Sequence, residues 1–526
     1  MFVTKTFEDA KLAARTVVRG CPSVVTANGE HIWNDSNDDD EMKRLQNYSL
    51  VIPVGGDGTL SGWINTMVDE ILLFHKLEHD ADSSKKNETT TNNGTSNMTV
   101  EEAMQQLPVL AYIPMGTGNG LGYVIGCKAG KSSSNDVDVP TKSILSKINV
   151  FTYMKRQKLE RARQVMARLK EVGDAIQDAE QLEQLDITNA ISTKCSIVEM
   201  PVMQVTHPSS VSTSSNNLPD ENGKGDLCFF AGAGFDSLML HDFQQIKAWS
   251  KNKSSSSTAV LLPSFVKDAL SSVAGYCVAL VTKTLPQTLR YGSHKIHVEV
   301  TTMDEDTLWV DHRRGDFSEL AVQGGWKKEE EEKGSSSSRR KKHLIYKGTT
   351  GIIAASTTPY YGGGMRLFPY ARLIPDKLQL RLGRISPLTG VVNILGIFAG
   401  SYRETSDREF GCMDFIGTEF EVEVRGSGGY KEYVRKESEK KKGRRRKRSL
   451  FLRWMSRRGK NEQSRVDDDQ DDGNSSSEKQ QPISTKGFPF QHSGESMGIK
   501  ERFRLRVVQE PVKFVSFLEP RVVRDD

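Results

Sequence analysis

The residues with the clearest chemical potential lie in one glycine-rich segment, Gly55-Gly56-Asp57-Gly58-Thr59. Glycines let a backbone approach another molecule closely, and successive N–H groups ahead of a helix can bind phosphate oxygens. A carboxylate inside such a phosphate cradle would serve a metal ion or a proton. The alternative is an Asp that caps a helix after an ordinary glycine turn. This segment alone does not choose between the two interpretations.

A second glycine segment occurs in the same context and contains Gly116, Thr117, Gly118 and Asn119. Each segment follows a short apolar run, Leu50–Val54 or Val109–Pro114, which is typical of a strand buried in a parallel sheet. After the first segment, apolar residues recur at helical spacing from Leu60 onwards. Because the carboxyl ends of parallel strands face one crevice, both glycine segments are predicted to line one site. Neither matches a Walker A motif or a dinucleotide-binding fingerprint.

Four motifs, in this order, resemble the diacylglycerol-kinase-type lipid kinases. They are VGGDGTLSGWIN, IPMGTGNGLG, GAGFDS at Gly232–Ser237 and YYGGGMRLFPYA at Tyr360–Ala371. The same superfamily holds sphingosine and ceramide kinases and, more distantly, NAD kinases. The resemblance implies an ATP-dependent kinase that transfers the γ-phosphate to a lipid hydroxyl, either of diacylglycerol or of a sphingoid base.

The resemblance also implies cofactors and roles for particular residues. ATP and Mg²⁺ are the expected cofactors, and the phosphates should be held by backbone N–H groups and by the side chains of Thr59, Thr117 and Asn119. Asp57 is the candidate to take the proton from the acceptor hydroxyl. Asp236, in GAGFDS, is the candidate contact for the polar head of the lipid, and a turn or cap residue is its alternative interpretation.

The sequence departs from the family pattern in two places. The Asp-Gly-Glu expected near the C-terminus is Ser493-Gly494-Glu495 here, and a serine cannot accept a proton as a carboxylate does. Catalysis and Mg²⁺ binding are therefore expected to rest on Asp57 and Glu495. No Asn-Pro-x-Ser-Gly turn precedes Val51, so the first domain is expected to lack that strand and phosphate loop.

Two alternatives to a lipid kinase remain open. One is a catalytically weak or inactive scaffold of the same fold that binds lipid or nucleotide, which the missing loop and Ser493 favour. The other is an NAD kinase, which is disfavoured because the Asn-Glu pair of that branch has no match in this sequence.

The elements around these residues predict an α/β plus β fold. Residues 1–130 are expected to form an open parallel α/β nucleotide-binding domain, and residues 131–194 a helical connection. Residues 195–520, with many short strands between turn signals, are expected to form a β-sandwich-type domain, with a cleft between the two domains. Residues 80–99 and the insertions near 327–342 and 426–486 are polar or low in complexity and are predicted to be disordered.

The charge of the chain is concentrated in one run. Arg435–Lys460 holds fourteen Lys or Arg against two Glu, whereas the whole chain of 526 residues has a net charge of +4. Apolar and aromatic residues at Leu450–Met455 lie among these cations, a composition that suits an anionic membrane surface. A nuclear-import signal, RNA contact or a solvated loop fits the same run, but nucleic acid is not an expected partner.

Composition places the protein in a reducing, cytoplasmic compartment, with peripheral attachment to a membrane as the further expectation. The six cysteines are scattered without paired or metal-type spacing, which argues against a disulfide framework or a zinc site. The longest charge-free run, Ile385–Tyr402, is too broken by Pro, Gly and Asn to cross a bilayer.

Overall fold

The fold is known from a computed structural model. It describes residues 13–15, 17, 24–25, 31–32, 50–85, 98–114, 120–125, 163, 167, 170, 196–208, 225–251, 273–311, 316–319, 342–361, 365–384, 386–392, 412–426, 429–432, 434–436, 439 and 487–516.

The described elements comprise twenty strands, seven α-helices and one π-helical segment. The strands are β1 (Val24–Val25), β2 (His31–Ile32), β3 (Leu50–Val51), β4 (Val54–Gly55), β5 (Val109–Leu110), β6 (Ile113–Pro114), β7 (Ser196–Thr206), β8 (Asp226–Cys228), β9 (Phe230–Gly234), β10 (Ile296–Thr302), β11 (Leu308–Asp311), β12 (Asp316–Glu319), β13 (His343–Thr350), β14 (Ile352–Ser356), β15 (Leu378–Gly383), β16 (Cys412–Gly417), β17 (Glu419–Gly426), β18 (Phe488–His492), β19 (Glu495–Lys500) and β20 (Arg502–Ser516). The helices are α1 (Asp57–Lys85), α2 (Val100–Gln105), α3 (Leu121–Val124), α4 (Phe235–Lys251), α5 (Val273–Ala279), the π-helical segment Leu280–Thr284, α6 (Leu285–Tyr291) and α7 (Pro387–Val392).

The parallel pairing predicted for the first two core strands is observed. Strands β3 and β5 pair in parallel, and β4 and β6 continue the pairing with Val54 opposite Ile113 and Gly55 opposite Pro114. The two glycine segments therefore leave the strands at the same level and on the same sheet edge. Helix α1 covers these strands with the apolar side chains that the helical spacing predicts: Leu60, Ile64, Met67, Val68 and Ile71.

Strands β3 and β5 join a large mixed sheet, whereas β4 and β6 form a separate two-stranded sheet, so the single open parallel sheet that was predicted is not observed. The first large sheet has the order β13-β10-β17-β20-β5-β3, with β7 paired to β20 and β8 to β7. Strand β20 is 15 residues long, so it can pair antiparallel with β17 and β7 and still reach β5, where Phe514 lies opposite Leu110 in parallel. The division into domains at residues 130 and 194 stays a prediction.

The β-rich part is built as the short alternating strands predict. The second large sheet, β12-β11-β16-β15-β14-β9-β18-β19, is antiparallel throughout. On β10, the buried residues Ile296, Val298 and Val300 alternate with more exposed ones. They share a core with Leu380 and Leu382 of the other large sheet, so the two sheets pack face to face.

Two segments predicted to be disordered are in part helical. Helix α1 runs on to Lys85, because no Gly or Pro interrupts it after Gly62. Residues 429–432 and 434–436 are helical within the predicted insertion at 426–486. Tyr430 is buried there with its ring 5.0 Å from that of Phe488, and Val434, four residues on, packs against the same core. Residues 86–97, 327–341 and 440–486, most of residues 131–194 and most of Arg435–Lys460 lie outside the described residues.

None of the helices in the described part of the chain combines the length and the apolar character that a membrane span requires.

Candidate functional site

Asp57 connects the two glycine segments. The Leu60 N–H donates to the Gly56 carbonyl at 3.0 Å, so Asp57 is the first residue inside helix α1. Its side chain is buried. The carboxylate accepts the backbone N–H of Gly120 at 2.6 Å through Oδ2 and the hydroxyl of Tyr112 at 3.2 Å through Oδ1. A negative charge is favourable at a helix N-terminus. Asp57 thus combines a position at the helix start with a link to the end of the second glycine segment.

The start of α1 also has the chemistry to hold phosphate oxygens. Since the first i to i−4 bond of the helix is that of Leu60, the N–H groups of Gly58 and Thr59 have no i−4 partner in the preceding turn. Thr59 is exposed. These groups fit a nucleotide phosphate at this end of the helix. Gly116, Thr117, Gly118 and Asn119 lie outside the described residues.

A hairpin from the C-terminal part of the chain closes on this helix end. Strands β18 and β19 are joined by Ser493 and Gly494, which have φ of 49° and 81°, so both adopt the left-handed conformation of a tight hairpin turn. The Ser493 N–H donates to the Phe230 carbonyl at 2.9 Å, and its hydroxyl lies 2.6 Å from that of Ser61, with both side chains buried. The position where the family has an Asp therefore faces the first two turns of α1.

Glu495 lies directly beside the first glycine segment. A Cβ added at Gly58 would be 3.1 Å from Glu495 Oε1, 3.0 Å from its Cγ and 3.1 Å from the Ser493 carbonyl oxygen. Glu495 itself is exposed. The structure therefore brings together Asp57, Gly58 and Glu495, which are far apart in sequence. A Cβ at Gly58 would require the hairpin to move by a few tenths of an ångström, so glycine suits this position.

Asp236 forms a second polar cluster at the start of helix α4. Its Oδ2 accepts the Tyr361 hydroxyl at 2.5 Å and the Gln491 amide at 2.7 Å, and Gln491 also contacts the Tyr361 hydroxyl. Its Oδ1 is buried and has no hydrogen-bond partner among the described residues. Burial raises the pKa of Asp236, although Tyr361, the backbone N–H groups of the helix start and Gln491 oppose that shift. One buried oxygen atom is thus left for a donor from a ligand.

The two clusters are neighbours. A Cβ on Gly120 would be 2.9 Å from the Tyr360 carbonyl oxygen, so the end of the second glycine segment packs against the residue before Tyr361. Tyr276 of α5 lies between the clusters: burial and the charge of Glu495 raise its pKa to about 12. Burial, with Asp236 and Tyr276 nearby, also raises the pKa of Tyr361 well above its usual value.

Sequence reasoning did not assign roles to Tyr361, Gln491 and Tyr276. Two of them carried a signal: Tyr361 lies in the YYGGGM motif, and Gln491 lies two positions before Ser493. Tyr276 carried none, because its place depends on the packing of α5 against α4, where its ring stacks on Phe243 at 3.8 Å. Gly362, Gly363 and Gly364 lie outside the described residues.

A pair of histidines lies behind the hairpin. His492 Nε2 is 3.4 Å from Asp226 Oδ2, and His492 lowers the pKa of Asp226. The His207 ring packs edge-on against Phe490 at 5.3 Å. Burial and the nearby charge of Lys500 lower the pKa of His207 to about 4, against the opposing effect of Asp226. His207 is therefore neutral at physiological pH.

The metal-binding capacity of the site is limited to two carboxylates. Within the described ranges, no cluster of three or more His, Cys, Asp or Glu residues could hold a metal ion. Mg²⁺ in kinase sites is bound by one or two carboxylates together with phosphate oxygens and waters, so such a cluster is not required. Glu495 is exposed and fits this role. Asp57 is buried and accepts two hydrogen bonds, so it is the less accessible of the two carboxylates.

Two parallel strands side by side, the first leading through a glycine segment into a helix with a carboxylate at its start, form an arrangement that suits phosphate binding. Residues 24–153 match the family model of the diacylglycerol kinase catalytic domain. This stretch is therefore similar to the catalytic domain of diacylglycerol kinases, in agreement with the resemblance seen in the motifs. Asp236, Gln491 and Glu495 lie beyond the matched range.

Other comparisons add little to this match. No curated protein matches the sequence. Among solved structures, a "putative diacylglycerol kinase" from Bacillus anthracis str. Sterne is 11% identical with a TM-score of 0.37, over 99% of this chain and 86% of that chain. A structure described as a diacylglycerol kinase from the same organism is 10% identical with a TM-score of 0.35, over 99% of this chain and 85% of that chain. TM-scores of this size carry no argument about fold or site.

Proposed function

We propose that the protein is an ATP-dependent kinase of a lipid hydroxyl, with diacylglycerol or a sphingoid base as acceptor. The single observation that carries the proposal is the meeting of Asp57 and Gly58 with Gly120 on one side and Glu495 on the other. This arrangement has the parts that phosphoryl transfer needs: N–H groups for phosphates, and carboxylates for a proton or a metal ion.

In the proposed reaction the lipid hydroxyl oxygen bonds to the γ-phosphorus of ATP, the bond to the β,γ-bridging oxygen breaks, and ADP leaves. Bound Mg²⁺ would neutralise charge on the phosphates. Glu495 is the exposed carboxylate to hold the ion. Asp57 holds the two glycine segments in register and is the candidate to accept the hydroxyl proton. Asp236, with one buried oxygen unpaired, is the candidate to bind a donor on the lipid head.

The competing function is a scaffold that binds nucleotide or lipid without turnover. It is favoured by one specific observation, the buried hydroxyl pair of Ser493 and Ser61 at the position where the family has a carboxylate. An NAD kinase is the third candidate and is separated from the other two by its soluble acceptor.

The test is transfer of label from [γ-³²P]ATP by the full chain in the presence of Mg²⁺. Diacylglycerol and a sphingoid base are offered in mixed vesicles, and NAD is offered in solution. We expect a labelled lipid, with at least a ten-fold loss of rate in Glu495→Gln, the scale expected when an acid–base or metal-linked group is lost. Glu305→Gln, which neutralises an exposed glutamate in the turn before β11, is the matched control and should keep the rate.

The other outcomes separate the alternatives. Label on NAD alone would replace the lipid kinase by an NAD kinase. Binding of an ATP analogue without label on any acceptor would establish the scaffold.

A further inference from the structure

The helical stretch from α5 through α6 exposes apolar side chains and buries polar ones. Its exposed positions recur every three to four residues, as expected for one side of a helix. Most of them are apolar, and we call these four the outer stripe: Val278, Val281, Pro286 and Leu289. Val281 is 63% exposed and Leu289 62%. A surface helix in water normally shows the opposite pattern, with its polar side outwards.

The orientation of this stretch is fixed by a buried carboxylate on the neighbouring helix. Asp242 of α4 is 1% exposed and accepts hydrogen bonds from Thr284 at 2.8 Å and from Gln287 at 2.5 Å. Lys283 Nζ lies 3.0 Å from its other oxygen. Because these polar side chains must face Asp242, the outer stripe must face away from the protein. These hydrogen bonds and the ion pair therefore fix the orientation that exposes the stripe. The π-helical segment lies in the middle of the stripe.

The charge around the outer stripe is positive. Residues 273–295 contain no Asp or Glu, and Arg290 and Lys295 are exposed cations, whereas Lys283 is paired with the buried Asp242. The helical residues 429–432 and 434–436 lie beside the end of α6. There Lys436 Nζ is 5.0 Å from the centre of the Tyr291 ring and also pairs with Glu432 at 2.6 Å. From there the chain enters the basic run Arg435–Lys460, with fourteen Lys or Arg against two Glu.

We propose that the outer stripe is a docking surface for an anionic phospholipid bilayer. Apolar side chains with the exposed cations Arg290 and Lys295 beside them match the acyl region and the anionic head groups of such a surface. A second copy of this chain fits the stripe less well, because association of two stripes would bring their neighbouring basic residues together and these would repel each other.

This inference deepens the proposed function, and it rests on that function for the link to a membrane-borne acceptor. Tyr276 lies on the same helix as the stripe and stacks on Phe243 of α4, and the first turn of α4 holds Asp236 against Gln491 of the hairpin. Docking through the outer stripe would therefore hold the Glu495 hairpin near the bilayer from which the lipid is drawn.

The experiment is sedimentation of the full chain with vesicles of phosphatidylcholine, with or without phosphatidylserine, in the absence of ATP. We expect binding to the phosphatidylserine vesicles. We expect the double variant Val281→Asp/Leu289→Asp to bind at least ten-fold more weakly, because a carboxylate cannot enter the apolar region and is repelled by anionic lipids. The matched control, Leu344→Asp/Leu373→Asp, adds two charges at exposed leucines elsewhere and should bind as the parent does.

A second variant tests the electrostatic part without altering the stripe. Arg290→Gln should weaken binding about five-fold on phosphatidylserine vesicles, the effect of one basic residue near such a surface. It should have little effect on phosphatidylcholine vesicles.

Equal binding by the stripe variant and its control would overturn the proposal. The proposal would also be overturned if the parent protein stayed in the supernatant and sedimentation equilibrium showed a dimer that is absent in the stripe variant. Since no ATP is present, vesicle binding by a protein that phosphorylates no lipid would refute the proposed function and leave the docking surface standing.

Discussion

The contact between Gly58 and the hairpin gives the sharpest test of the site, through the paired substitutions Gly58→Ala and Gly62→Ala. Both glycines lie in α1, one turn apart. A Cβ at Gly62 has no neighbour within 4 Å, whereas a Cβ at Gly58 would lie 3.0 Å from Glu495 Cγ and 3.1 Å from the Ser493 carbonyl oxygen. Replacing Gly by Ala inside a helix stabilises it by about 1 kcal/mol. Gly62→Ala should therefore raise the free energy of unfolding by about that amount and leave activity unchanged.

Gly58→Ala gains less, because its position is in the first helical turn and the new methyl group must push the hairpin away by a few tenths of an ångström. The hairpin resists, since the Ser493 N–H is bonded to the Phe230 carbonyl. A displacement of about 1 Å can cost roughly 10²-fold in rate, so this smaller shift should cost roughly three- to ten-fold. The assays are guanidinium unfolding and initial rates of lipid phosphorylation. Equal rates for the two variants would refute a catalytic role for the contact between Gly58 and Glu495.

The remaining predictions concern charge at the site and pH. Asp57→Asn should retain the fold, because its amide can still accept from the Gly120 N–H and donate to the Tyr112 hydroxyl. Turnover should fall by roughly 10²–10⁴-fold in steady-state assays. Near-normal turnover would mean that Asp57 is only a positioning residue. Ser493→Asp should raise turnover a few-fold, since Asp-Gly suits this turn and the Ser61 hydroxyl can donate to the new carboxylate. The assay is turnover measured while Mg²⁺ is titrated. A loss of activity would mean that the site has adapted to serine. The pKa of His207 is lowered to about 4 in the folded state, so between about pH 6.5 and 4 the unfolded state binds one proton more than the folded state. The free energy of unfolding should therefore decline as pH falls through that window. The slope should stay below the one-proton limit of about 1.4 kcal/mol per pH unit. His207→Phe should flatten the dependence of the unfolding midpoint on pH in that window, and an unchanged slope would contradict the assignment.

The sequence predicted those parts of the structure that local patterns determine. The apolar runs around Val51 and Leu110 predicted parallel strands, and the helical spacing after Thr59 predicted the buried side of α1. Both depend on periodicity and burial, which a single segment displays. The Ser493-Gly494 turn was visible as a departure from the family motif, and the structure adds that it contacts Ser61.

Long-range pairing could not be read in the same way. Nothing in β20 signals that its last residues pair with β5, because a strand buried on both sides looks the same whichever strand lies next to it. The partners of Asp236 were missed for a related reason: Tyr361 and Gln491 reach it from strands and turns more than a hundred positions away in sequence. The helix at residues 429–436 was hidden by the charged composition around its few core-facing side chains.

The central claim is that the start of α1 and the β18–β19 hairpin form one nucleotide site. An experimental structure of the full chain with Mg²⁺ and a non-hydrolysable ATP analogue tests it most directly. The account predicts the triphosphate at the N-terminal end of α1, with a phosphate oxygen within hydrogen-bond distance of the Gly58 or Thr59 N–H group and Glu495 facing the metal ion. An analogue bound elsewhere, or none bound at saturating concentration, would contradict it.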